Sequence, residues 1–257
     1  MNPETPVARV GSLAWARRGG ALSALERRRL VAGSLARQVA LVGDVLRRLG
    51  PPAGPLRAVE LGEIRIPDSR AALEAAEHAR ALSSDVLYAH CIRTYLYGAL
   101  FARADGLTYD PELLFVAAAL HDLGLVPAHR HRAPGVACFA VEGARAAADF
   151  AEATLGWEDA RRARLEEAIT LHLNLAVDAE EGVEAHLLHE ATALDVVGTR
   201  AGVIGRRLRR AIREAHPREG LEDEVLEAFR DEARTRPHSR TGVMMRLGFP
   251  LAMRLAR

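Results

Sequence analysis

The run FVAAALHDLGL, residues 115–125, constrains this chain more than any other. Its residues up to Leu120 offer no polar face, so a helix here must be buried on every side. That helix closes on His121-Asp122, two groups with good metal-ligand atoms placed where water is scarce. Burying a carboxylate without a partner is costly. His90 lies upstream in SSDVLYAHCIRTYLYG and Asp195 downstream in HEATALDVVG. A divalent ion gathered by His90, His121, Asp122 and Asp195 would remove that cost for all four at once.

The rest of the composition fits a helical protein built around such a point. The chain has 257 residues, enough for one large domain. It is 49% apolar and only 5% aromatic, rich in Ala, Leu, Glu and Arg, and short of the Val/Ile alternation an all-β fold needs. We expect an all-α helical bundle with additional N- and C-terminal helices. Residues 1–68 form an N-terminal helical extension, 69–200 the metal-binding core, and 201–257 C-terminal helices completing the same domain. The net charge is +1, which demands no nucleic-acid partner. Cys91 and Cys138 form no C-x-x-C unit, so a disulfide scaffold is not expected and a cytoplasmic location fits. No stretch reaches the length of a membrane span. A homodimer is only a base-rate expectation.

Punctuation along the chain places the elements. Residues 1–20 read as an irregular lead-in, and a helix follows from about 23 to Gly50, before Pro51-Pro52. Residues 57–69 are the one candidate for a short extended piece. Asp68 or Ser69 caps a helix over 70–80, and Ser83 or Ser84 caps one over 84–104. On the latter, His90, Arg93, Thr94 and Tyr97 recur at three- and four-residue spacings and share a face. Pro111 opens the next helix, which Gly124 and Pro127 end. Further helices are expected over 140–156, 158–171, which leaves His172 at its end, and 184–199, which carries Asp195. The basic run 206–216 suits a solvated helix facing the acidic 221–232 segment. The tail from 241 suits core packing or a subunit contact, since Pro250 interrupts it.

These residues resemble the HD-domain superfamily of metal-dependent hydrolases. His90, His121, Asp122 and Asp195 match its His…His-Asp…Asp pattern. HCIRTYLYGALFA, AAALHDLGL, FAVEGARAAADF, AITLH and ALDVVG are most similar to its cyanamide-hydratase-like branch, over about residues 80–200. The resemblance implies one divalent metal, zinc favoured, with iron, manganese or nickel possible. It implies water added to a small C–N substrate such as cyanamide or a related nitrile. The alternative is an HD phosphohydrolase acting on a nucleotide or other phosphate ester. Many such enzymes carry a Lys shortly after the His-Asp pair, and here Leu123-Gly124-Leu125 stands there. A second metal would need further histidines, and beyond His172 no full set is evident.

Roles follow from chemistry. Asp122 holds or deprotonates water. His172 is the candidate proton shuttle, because an imidazole titrates near neutrality. Glu142, early in its helix, is placed to orient a ligand histidine or water, or is simply a first-turn acid. Arg93 meets a substrate anion or neutralises an acidic ligand. Thr94, Tyr97 and Asn174 are weaker pocket candidates, and His129 and His131 read as surface histidines. His186 and His189 do not stack with Asp195 on a helical face and are set aside. A nitrile pocket should be small and mostly closed; a nucleotide pocket larger, positively lined and open.

Overall fold

A computed structural model describes residues 8–34, 56 and 59–255. Among them every regular element is helical, as expected. The opening elements are α1 (Leu13–Arg17) and α2, whose described part spans 24–34. The remainder of the helix expected up to Gly50 lies outside the described residues. Then follow α3 (Arg70–Leu82), α4 (Asp85–Asp105), α5 (Pro111–Leu120), α6 (Phe139–Phe150), α7 (Asp159–Leu171) and α8 (Val183–Val197). The C-terminal part holds α9 (Arg206–Ala215), α10 (Leu221–Thr235), α11 (Arg240–Arg246) and α12 (Phe249–Leu255).

Local chemistry sets most of these ends. The Ser69 and Ser84 hydroxyls accept from the Ala72 and Leu87 amides, and Asp110 accepts from Leu113 N ahead of Pro111. Each cap satisfies a helix-start amide that has no partner inside the helix. Within the expected extended piece at 57–69, the described residues, from 59 on, form no strand and hold a 3₁₀ turn at Leu61–Glu63. Glu60 and Glu63 cap it reciprocally, which competes with pairing as a strand. The helix after Phe139 also departs from a single run: α6 gives way to a π turn at Ala151–Leu155 that stops at Gly156.

Helix α4 is the axis of the bundle. It is buried over most of its length and packs on α8 and α5. Helix α5 is buried from Leu113 to its end and is further covered by α3 and α7. A second apolar cluster joins Trp15 of α1 and Phe139 of α6 to Phe229 of α10, Val243 of α11 and Met253 of α12. The C-terminal helices are therefore part of a core.

One close approach fixes the segment after α5. A Cβ on Gly124 would lie 2.0 Å from the Phe139 carbonyl oxygen, and one on Gly143 would lie 2.7 Å from the Gly124 amide nitrogen. Two glycines, one in HDLGL and one in FAVEGA, let the backbone of α6 seat directly on the turn that follows Asp122.

Candidate metal centre

The site is assembled where the ends of α5 and α7 meet His90, inside α4. His121 is still helical (φ −62°, ψ −30°), whereas Asp122 has left the helix (φ −100°, ψ 13°). Successive residues of a regular helix point about 100° apart. The break lets Asp122 turn its carboxylate to the side its neighbour faces. Asp122 Oδ2 lies 3.2 Å from His121 Nε2 and 3.6 Å from His90 Nε2, and the two imidazole nitrogens are 3.3 Å apart. All three side chains are buried. His90, His121 and Asp122 thus form a group able to hold a metal ion.

Hydrogen bonds behind the rings decide which nitrogen faces the site. His121 Nδ1 donates to the Ala118 carbonyl at 2.9 Å, and His172 Nδ1 to the Ile169 carbonyl at 2.5 Å. A carbonyl only accepts, so the proton sits on Nδ1 in both. His90 Nδ1 donates to Asp195 at 2.7 Å. With Nδ1 protonated behind each ring, Nε2 of His90, Nε2 of His121 and a carboxylate oxygen all face one point, where a proton or a metal ion can sit. That convergence needs a cation. Zinc–nitrogen bonds of about 2.0–2.1 Å at a tetrahedral angle separate two ligand nitrogens by about 3.4 Å, so the donor set fits a divalent ion.

The electrostatics agree. Burial alone would raise the Asp122 pKa, yet His121 and His90 hold it well below the usual carboxylate range. Burial would lower His121, but Asp122 outweighs it and raises the ring well above its ordinary value. A proton and a metal ion thus compete for the same place. Burial pushes His90 down.

Asp195 stands behind His90, outside the group of three. Arg93 grips its carboxylate with Nε at 3.0 Å and Nη2 at 2.7 Å, and gives Nη1 to the His216 and Pro217 carbonyls. Burial would raise Asp195, but Arg93 and His90 keep it well below the ordinary range. Arg93 therefore takes the second of its two expected parts, neutralising an acid; it is fully buried and does not line the cavity.

His172 does line the cavity, beside His90 and Asp122. Its pKa is not the near-neutral one expected of a shuttle. Burial, helped by the charge of His121, pushes it down to about 3, leaving a neutral ring whose Nε2 only accepts. Glu142 is elsewhere. Its carboxylate takes the amides of His131, Arg132 and Ala133 at 3.0, 2.5 and 2.7 Å, and the Arg236 guanidinium at 3.0 Å. It ties down a loop and touches no ligand histidine through any of these bonds. His131 is held by Asp231 at 2.9 Å, away from the metal group. The Asn174 amide lines the cavity, but its oxygen accepts from Arg240 and its nitrogen donates to Val10.

His189, set aside above, also lines the cavity, with Thr192, Ala193 and Val196. Those four residues recur at i, i+3, i+4 and i+7 and make one face of α8. Asp195 belongs to the neighbouring face, toward α4. A search for a His sharing a face with the cavity, rather than with Asp195, would have found it.

The family model described as HD domain matches residues 87–233, from the turn before His90 into α10. The chain belongs to the HD-domain family. The match embraces all three members of the metal group and selects no branch within the family. No curated protein matches the sequence. Among the described residues no helix is long and apolar enough to cross a membrane.

Proposed function

We propose that this HD-domain protein is a mononuclear divalent-metal hydrolase or hydratase that adds water to a small, uncharged C–N compound, as the cyanamide-hydratase-like branch does. The observation that carries this reading is the cavity at the metal group. Among the described residues lining it there is no Arg, and the chain contains no Lys. A phosphate ester would bring two negative charges into that space with no cation but the metal to meet them. A neutral C–N group has no such requirement.

His90, His121 and Asp122 would hold the ion, zinc by preference for its nitrogen-rich set. When bound, the ion supplies Lewis acidity and lowers the pKa of water toward neutrality. Asp122, in contact with both imidazoles, would hold the ion through its carboxylate and orient the attacking water by accepting its hydrogen bond. His172 presents a lone pair at Nε2 and orients an N–H or O–H hydrogen of the substrate or water. Asp195 fixes the orientation of His90 through Nδ1, and Arg93 keeps Asp195 ionised. Cys91 and Cys138 are free and buried, which supports a reducing compartment.

The test is urea formation from cyanamide, run beside phosphate release from a nucleotide panel, with protein of known metal content. Urea formation that disappears in His121→Ala together with the metal is the expected result. Phosphate release abolished by the same substitution would transfer the protein to the phosphohydrolases.

A further inference from the structure

The cavity has a shape of its own beyond the metal group. It offers about 140 Å³ and is partly open to solvent. A wall of aromatic rings starts beside His172, whose ring centroid is 6.1 Å from that of Phe139. Phe139 stands 5.4 Å from Phe229, and Phe229 stacks on Phe249 at 5.1 Å. Val196, Val225 and Met244 line the same space. A cavity of about 150 Å³ walled by Leu, Ile and Phe stays dry and accepts benzene. This one is of similar volume and apolar along Phe139, Phe229 and Phe249, with Ser34, Asn174, Thr192 and Thr199 elsewhere on its lining. Cyanamide, three heavy atoms with polar ends, would leave most of it empty.

The wall comes from an unexpected part of the chain. Met244, Leu247, Phe249 and Ala252 all lie beyond residue 233, where the family match ends. The matched domain supplies the metal group, and α11 and α12 supply much of the space that a substituent would fill.

We infer that the ligand of this cavity is an uncharged nitrile-type compound carrying an apolar group about the size of benzene, packed along Phe139, Phe229 and Phe249 with its C–N group at the metal ligands. The inference rests on the proposed activity for the reaction and on the cavity for the substituent. The reaction is an addition without redox change. The oxygen of one water bonds to the nitrile carbon, both hydrogens end on nitrogen, and an amide results.

Benzonitrile and acetonitrile separate the two parts. Both are titrated into zinc-loaded protein and followed by calorimetry, with amide formation assayed in parallel. Burying a Phe-sized group is worth about 10- to 150-fold in affinity, so benzonitrile should bind at least tenfold more tightly. Ala252→Phe, which fills the space from α12, should bring that ratio toward one. Phe249→Ala, which strips the outer wall, should lower it and serves if the first variant does not fold. Equal binding of the two nitriles by the unaltered protein would overturn the inference. Amide from acetonitrile without any benzonitrile preference would overturn it too, while leaving the hydratase reading in place. Tight benzonitrile binding with no amide from either would keep the ligand class and remove the hydratase reading.

Discussion

His90 is held from behind by Asp195: the 2.7 Å bond from Nδ1 to the carboxylate turns Nε2 toward His121, 3.3 Å away. The metal-facing geometry of one histidine is thus set by an acid 105 residues further along the chain. Asp195→Asn keeps the shape but weakens the acceptor and frees the ring to change tautomer. Metal affinity should fall about 10- to 100-fold, measured by competition with a chelator. A loss as complete as that of His121→Ala would instead make Asp195 a ligand in its own right.

Arg93 keeps Asp195 from being a lone buried charge. Arg93→Met should therefore cost about 3–5 kcal/mol of stability, read from denaturant unfolding. The pH dependence follows in sign. The folded pKa of Asp195 lies below its unfolded value, so the stabilisation is complete above about pH 4 and is lost as the pH falls through the folded value. Asp195→Asn should flatten acid unfolding in that range.

Metal binding at this group should release a proton. The raised His121 pKa means that its ring shares a proton with Asp122 at neutral pH, in the place the ion takes. Below that pKa, apparent zinc affinity should rise about tenfold per pH unit. Calorimetry in two buffers of different ionisation heat measures the release directly, and identical heats in both would show that no proton is displaced.

Gly124→Ala places a methyl group against the Phe139 carbonyl, at a backbone contact that cannot step aside. Overpacking of this kind costs about 1–3 kcal/mol or more. Because the turn follows Asp122 directly, metal content should fall with the melting temperature. An unchanged metal stoichiometry would show that the α6 contact and the site are independent.

Glu142→Gln tests the loop-anchoring role. Three amides and Arg236 lose a charged acceptor, each charge-assisted bond being worth about 1.5–3 kcal/mol at most. Proteolysis within 127–135 should quicken while metal content stays whole. Loss of metal with an intact loop would return Glu142 to the site.

The helical class, the serine and aspartate caps and the burial of α5 were legible in the sequence, as was the group of His90, His121 and Asp122, to which the sequence reading added Asp195 as a fourth ligand. Each is written in local chemistry: a period, a hydroxyl before a helix, or a His-Asp pair after an apolar run. Only the tertiary structure decided what stands behind and around them. Whether Asp195 meets the metal or His90 depends on how α8 packs against α4. Glu142 went to a loop because the fold brings three amides, ten or so residues upstream, and the Arg236 guanidinium to its carboxylate. The rings of Phe229 and Phe249 reach the cavity because α10 and α12 fold back over the site, opposite the face of α8 that carries His189. Helix periodicity tells which residues share a face, but not which distant face will cover it. That choice is made by packing among segments far apart in the chain, and the shape of the cavity is its result.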